Sequence, residues 1–324
     1  MGARRSRMKR TRTGRRIELS VRDLEIFKLL TRYRYLRSTY IHAFVGEASE
    51  TRFKERLGNL FHEGYLDRPA QQWEFADARC MPAVHENGRG AMNALRACGV
   101  GLDADERQIA GTAHRQFLHA LMICEVLASI ELSVRADPRL RFIAWPEILA
   151  RAPEAVRASR TPLRLPVPSG GYLVPDGAFG LEYRDGNAKT FRFFALEADR
   201  GTMPISRSKP GQTSYLGKLA AYGEIIREHI HKAHWGVPNL LILTLTTSPA
   251  RAAEIIAKLG TDGSPAFLFK AVDAKTLMRP APRLLTEPWT RAGLPPLSIA
   301  ESCCLTPNFG VETIARQEHP SGGL

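Results

Sequence analysis

Two runs of β-forming residues separated by a four-residue turn most restrict what this chain can become. Residues 172–202 read YLVPDGAFGLEYRDGNAKTFRFFALEADRGT, and Arg184-Asp185-Gly186-Asn187 between the runs holds the residues that a tight turn favours. The spacing predicts a hairpin. Each strand carries acid where a half-buried strand disfavours it: Asp176 directly after Pro175, and Glu197 with Asp199 two residues apart. Side chains alternate along a strand, so Glu197 and Asp199 share a face. Three carboxylates converging on one sheet surface repel one another unless a positive charge sits between them, and a divalent metal is the usual occupant. Function is therefore to be sought at this hairpin.

A chain of 324 residues has room for about two domains of ordinary size. Its 44% apolar and 24% charged residues are those of a soluble globular protein. The run Leu240 to Leu245 falls far short of a bilayer span, and the basic N-terminus lacks the apolar segment of a secretory signal. These features predict a cytoplasmic protein with no membrane partner. Cys80, Cys98, Cys124, Cys303 and Cys304 are odd in number and show no C-x-x-C spacing, which argues against a disulfide framework and against zinc. The formal charge of +13 draws such a chain to polyanions through counterion release, and eight cations from Arg4 to Arg16 stand without an acid among them. Residues 1–16 read as a solvated, disordered basic arm, and double-stranded DNA is the leading partner.

Residues 17–100 read as a DNA reader. Ser20 and Asp23 form a helix cap, followed by apolar residues at helical spacing (Leu24, Phe27, Leu30). A second helix after Ser38 ends at Gly46, and a third from Ser49 or Glu50 turns Phe53, Leu57, Leu60 and Phe61 inward. Three short helices with the third basic on one face make a helix-turn-helix. Residues 65–68 and Gln72-Trp73-Glu74-Phe75 read as strand and wing, and Ala83-Val84-His85 as the returning strand, so the unit resembles a winged helix-turn-helix. In a DNA-bound state Arg52, Lys54, Arg56 and Asn59 would face groove or phosphate, and Arg10, Arg12, Arg15 and Arg16 of the arm would lie along the backbone or minor groove.

Residues 101–279 read as a second, α/β domain with a mixed central sheet, and residues 280–324 as a Pro-rich tail packing through Leu284, Leu285 and Trp289. A long apolar helical pattern from His114 to Arg135 opens the domain. A strand, the hairpin, a helix over 213–231, the continuous apolar strand Asn239 to Thr246, a further helix and a strand over 267–272 follow. The fold class is thus α+β. The order helix, strand, strand, strand, helix, strand, with Pro175-Asp176 and Glu197-Ala198-Asp199 on the second and third strands, resembles the PD-(D/E)XK nuclease superfamily. That resemblance implies Mg²⁺ held by Asp176, Glu197 and Asp199, a metal-activated water, and a lysine at the nucleophile. Position 199 is Asp where the pattern has Lys, so Lys218 on the following helix is the candidate for a relocated ammonium, ahead of Arg200 and Lys189.

Taken together, RDLEIFKLLTRYRYL, TRFKERLGNLFHEGYLDR, the helix beginning at His114, PDGAF, FALEADRGT and KLAAY (Lys218 to Tyr222) resemble the replication-relaxation family of plasmid and mobile-element proteins. The resemblance implies a role in plasmid replication, relaxation or mobilisation, with Asp199 a family trait. Two functional classes stay open: a metal-dependent DNA nickase, and a non-catalytic regulator whose second domain dimerises or binds a relaxase or replication initiator. An RNA-directed nuclease or toxin is a third.

Other signals are discounted. His229, His231 and His234 do not share a helix face. The segment from Gly211 to Lys218 is one residue too long for a phosphate loop and is followed by Leu219, not a hydroxyl, so no nucleotide site is expected. The vicinal Cys303-Cys304 pair reads as an exposed bystander.

Overall fold

The structure, a computed structural model, describes residues 5–14, 17–46, 49–74, 80–100, 117–207, 214–260 and 265–302. Arg15, Arg16, Phe75, His114, Gly211, Cys303 and Cys304 lie outside the described residues. Ser20 Oγ accepts from the Asp23 amide at 3.3 Å while Asp23 accepts from the Ser20 amide at 2.7 Å, and this reciprocal cap starts α1 (Val21–Tyr33). α2 (Ser38–Val45) stops where Gly46 takes φ 66°, which a side chain would resist. α3 (Glu50–His62) opens on the Ser49 cap and buries Phe53, Leu57, Leu60 and Phe61.

Three short antiparallel strands, β1 (Leu36–Arg37), β2 (Leu66–Asp67) and β3 (Val84–Asn87), lie in the order β1-β3-β2 beside these helices. Gln72-Trp73-Glu74, expected as part of the wing, belongs to a 3-10 turn over Ala70–Glu74. The Gln72 amide accounts for the difference. It accepts from the Val84 amide at 2.9 Å and donates toward the Val84 and Pro69 carbonyls at 3.0 Å, so a side chain supplies what a further strand would have. α4 (Arg89–Ala97) packs on α1.

α5 (Phe117–Arg135) is long and apolar enough to cross a bilayer, yet 78% of its apolar window is buried inside the protein. One hydrophobic cluster runs from Ile26 and Phe27 of α1 through Leu121 and Val126 of α5 to Phe194 and Leu196 in the sheet beyond. The helix therefore has protein on both sides.

That sheet has seven strands in the order β12-β11-β10-β9-β8-β7-β4. They are β4 (Leu140–Ile143), β7 (Gly177–Asp185), β8 (Ala188–Asp199), β9 (Leu241–Thr246), β10 (Phe267–Ala271), β11 (Trp289–Arg291) and β12 (Leu294–Leu297). β8, β9 and β10 run parallel and the other pairings are antiparallel, so the sheet is mixed. β5 (Leu165–Pro166) and β6 (Tyr172–Leu173) form a separate small hairpin. The remaining helices are α6 (Trp145–Arg151), α7 (Glu154–Arg157), α8 (Tyr215–Arg227), α9 (Ile230–Trp235), α10 (Pro249–Leu259) and α11 (Arg283–Thr286). Eleven α-helices and this mixed sheet, among the described residues, make the fold α+β.

Alternation along β8 assigns its faces. Phe194, Leu196 and Ala198 join the cluster containing α5, whereas Phe193 and Ala195 join a second cluster with Tyr215, Leu219 and Tyr222 of α8. Glu197 and Asp199 follow the odd parity and point to the α8 side. The single helix expected over 213–231 is two, because His229 takes φ 53° between α8 and α9. Residues 283–297, read from the sequence as tail, supply α11 and two strands of the main sheet, with Trp289 fully buried and its indole N–H donating to the Leu284 carbonyl at 2.9 Å.

β7 and β8 cross closely at Gly180, where a Cβ would sit 2.9 Å from two Phe193 ring carbons and 3.2 Å from Ile143 Cβ. Gly180→Ala is expected to destabilise the protein by about 1–3 kcal/mol through overpacking. Urea unfolding measures it, and a midpoint equal to or above wild type would mean that the Phe193 ring gives way freely.

Candidate functional site

The acids of the hairpin meet at the end of β8. Pro175 leads the chain into β7, and the Asp176 amide donates to the Leu196 carbonyl at 3.1 Å while Asp176 Oδ2 accepts from the Ala198 amide at 2.9 Å. Asp176 is thereby held beside Glu197 on the neighbouring strand. From the other side α5 contributes His119, whose Nε2 lies 3.1 Å from Asp176 Oδ1.

α8 completes the cluster. Ser214 caps it, accepting from the Gly217 amide at 3.2 Å. Lys218 and Tyr222 are four residues apart and so lie on one helix face. Both reach Glu197: the Lys218 ammonium donates to Oε2 and the Tyr222 hydroxyl to Oε1. Glu197 is only 2% exposed, while Lys218 keeps about a fifth of its side chain in contact with solvent. Beside them the Tyr215 hydroxyl donates to Thr244 Oγ1 at 3.0 Å.

Burial pushes the Glu197 carboxyl up to about 7, against the pull of Lys218 and with a further push from the Asp176 charge. Burial opposes the charge on Lys218, but the Glu197 and Asp176 carboxylates outweigh it and raise the lysine above its ordinary value. For Asp176 burial is likewise outweighed, by the His119 hydrogen bond and the Lys218 charge, so its carboxyl is lowered. His119 is raised because Asp176 more than offsets the burial of the ring.

Asp199 has a different partner. Arg251, on α10, donates through Nε to Asp199 Oδ2 and through a terminal nitrogen to Oδ1 at 3.2 Å, a fork on a carboxylate. The Gly201 amide adds a bond at 2.9 Å, and the same guanidinium also donates to the Met203 carbonyl. Of the sequence candidates, Asp176, Glu197 and Lys218 come together, and Asp199 stands beside them bound to Arg251. Lys189 lies at the turn end of the hairpin, 3.4 Å from Glu182.

Whether these residues suit Mg²⁺ rests on the donor set. Among the described residues no three His, Cys, Asp or Glu side chains form a ligand group. Mg²⁺ is commonly held by one or two carboxylates, with water and substrate phosphate filling its octahedron. Asp176 and Glu197 supply two carboxylates on adjacent strands, with the Lys218 ammonium standing in as the cation between them. The set fits, provided that Glu197 exchanges Lys218 for the ion.

The nucleic-acid candidates divide in the same way. Arg52 is exposed on α3 and Lys54 pairs only with Glu50, at 2.7 Å. Arg56 instead spans α3 to the α1 cap, donating to Asp23 and to the Glu18 carbonyl at 2.7 Å. Residues 5–14, read from the sequence as part of a disordered arm, lie along α3 and β2. Arg5 donates to Asn59, and Arg10 donates to the Phe61 and Leu66 carbonyls at 2.8 Å and to Asp67. Arg12 is exposed over Gly64.

Sequence reasoning missed His119, Tyr222 as a polar partner, and Arg251. The Lys-x-x-x-Tyr spacing was the available signal for Tyr222, since four residues make one turn. Neither His119 nor Arg251 has a local signal, because each meets its partner only through sheet topology.

The raised Glu197 carboxyl fixes a sign for stability. The folded state keeps a proton that the unfolded chain has released, so this group makes stability fall as pH rises from about 4.5 to about 7. Glu197→Gln is expected to reduce the loss of unfolding free energy between about pH 5 and about pH 8 by on the order of 2 kcal/mol. Denaturant titrations at the two pH values measure it, and parallel losses in both proteins would show that Glu197 ionises normally.

A family model described as replication-relaxation matches residues 27–241, more than half of the chain. No curated protein and no solved structure matches it. The matched span runs from within α1 to the first residue of β9 and takes in His119, Asp176, Glu197 and Lys218, while Arg251 lies beyond it. The chain belongs to the replication-relaxation family.

Proposed function

We propose that this chain is a DNA-binding protein acting in plasmid or mobile-element replication or relaxation, with a winged helix that docks duplex DNA and a PD-(D/E)XK-type domain that nicks it. Family membership supports the biological role. Three helices beside a small antiparallel sheet, with Arg52 outward on α3, support the docking unit. The succession α5, β4, β7, β8, α8, β9 supports the nuclease-type domain. The observation that carries the chemistry is the meeting of Lys218 with Glu197 beside Asp176, because it returns a lysine to a site whose usual strand position holds Asp199.

In this reading Asp176 and Glu197 hold Mg²⁺, which when bound acidifies a water and offsets the phosphate charge. Lys218, released from Glu197, donates to a phosphate oxygen or orients the attacking water. Tyr222 keeps Glu197 aimed by donating to its second oxygen, and His119 does the same for Asp176. Arg251 neutralises Asp199 and so keeps a third negative charge from repelling phosphate.

A second reading, a non-catalytic regulator that dimerises or binds a relaxase or initiator, is favoured by one observation. Each of the three acids already has its own basic side-chain partner within the protein: His119, Lys218 or Arg251. Supercoiled plasmid incubated with protein and Mg²⁺ or Mn²⁺ separates the readings. The nickase yields open circles, and Asp176→Ala, Glu197→Ala and Lys218→Met each cut the rate by about 10²-fold or more without loss of binding. Retarded but intact plasmid with wild type and variants alike would leave the regulator standing. Preference for RNA in the same assay would move the substrate class.

A further inference from the structure

A cleft of about 1230 Å³ opens between the outer side of α3, the arm and the loop over 275–279. It lies apart from the acid cluster and draws on both halves of the chain. Among the described residues, six cationic side chains line it, Arg5, Arg7, Lys54, Arg68, Lys275 and Arg279, against two carboxylates, Glu50 and Glu55. Glu50 is already paired with Lys54. The cleft therefore holds an excess of positive charge.

Its floor contains polar groups without a partner. His85 also lines the cleft and is 1% exposed, yet among the described residues its Nδ1 has no hydrogen bond, and neither does Arg68 Nε. Leaving buried polar atoms unpaired costs free energy unless something arrives to meet them. Arg68 lies 4.4 Å over the Phe61 ring and donates to the Arg7 carbonyl at 2.6 Å. Burial and the charge of Arg7 lower its guanidinium to about 10, and burial with Arg68 and Arg7 drives His85 well below its ordinary value.

The far wall is fixed. Thr39 Oγ1 donates to the Met278 carbonyl at 2.7 Å, and the Tyr40 hydroxyl lies 3.0 Å from the Leu277 carbonyl and 2.9 Å from that of Arg279. Lys275 and Arg279 are thus exposed side chains on a loop tied to α2, facing α3 across the cleft. The near wall includes Gly58, where a Cβ would meet nothing within 4 Å.

We propose that this cleft grips the phosphodiester backbone of the DNA strand lying beside α3, with Lys275 and Arg279 closing on it from the second half of the chain. One phosphate would fill only a small part of the volume, and the cations come from four separate segments, which suits a run of phosphates and not a single anion. The inference deepens the DNA-docking reading and rests on it. It adds that the second half of the chain takes part in holding the duplex.

Binding of the full chain to a fluorescent duplex, measured between about 50 mM and about 200 mM salt, tests it. Lys275→Ala combined with Arg279→Ala is expected to weaken binding about 10-fold or more at the lower salt and to reduce the slope of log K against log salt by about 2. Both residues are exposed, so thermal unfolding should match wild type. Arg52→Ala, outside the cleft, is the control for α3 docking. Normal affinity and slope in the double variant, with weakened binding in Arg52→Ala, would overturn the inference and leave the docking reading intact. No binding by wild type would overturn both. If inorganic phosphate binds wild type in a way that the double variant loses, while duplex binding is equal in the two proteins, the cleft is a free-anion site and the backbone assignment fails.

Discussion

The burial of α5 between the helical unit and the main sheet is the constraint on which the remaining geometry depends. A helix this apolar must be covered on nearly every side. The sheet covers one side through Phe194 and Leu196, and α1, α2 and β1 cover the other. Three polar residues interrupt that second contact, and each is claimed by the helical unit. Glu125 pairs with Arg37, Ser129 with the Tyr40 hydroxyl, and Glu131 with Arg32 and Tyr33. Burial raises Glu125 to about 7, so the pair with Arg37 adds little net stability at neutral pH. Its effect is on register, since sliding α5 by one turn would strand both carboxylates without partners. His119 and the loop tied by Tyr40 take their positions from that register.

Charge compensation explains the acid cluster better than any single residue does. Asp176, Glu197 and Asp199 lie at the ends of adjacent strands, where uncompensated carboxylates would repel strongly in a poorly solvated setting. The structure meets this with two cations and an imidazole from three different helices: Lys218 on α8, Arg251 on α10 and His119 on α5. The guanidinium fork on Asp199 is rigid and uses both oxygens, whereas the single ammonium on Glu197 sits at the end of a flexible stem. Exchange for another cation is therefore easier at Glu197 than at Asp199. Asp199 is also the acid that a cation from outside the family span immobilises.

Much of this was legible in the residues because it depends on local pattern. The caps at Ser20 and Ser49, the left-handed Gly46, the hairpin around Gly186 and the buried run of β9 all follow from spacings within a dozen residues. What was not legible depended on distant partners. Leu294–Leu297 reads Leu-Pro-Pro-Leu, which denies it a central position, yet an edge strand with one unpaired side accepts prolines and β12 is at the edge. Gln72-Trp73-Glu74 read as part of the wing because nothing local indicated that the Gln72 amide would bridge to Val84. His119 read as one polar residue in an apolar helix until sheet topology brought it to Asp176.

The same distinction governs what the positive charge of this chain is for. Counting basic residues treats every arginine as available to a polyanion, yet Arg56 is spent on the α1 cap, Arg10 on two carbonyls and Asp67, Arg37 on Glu125 and Arg251 on Asp199. These guanidiniums satisfy acceptors within the protein, and each has a carboxylate close by. Cations facing the α3 cleft are different, because among the described residues two carboxylates stand against six of them. A long-range potential is built from charge left over after such local pairing, and it adds most where low-dielectric walls focus it. The sign and size of the net charge count every cation alike, whereas the pairing pattern separates those cancelled close by from those that are not.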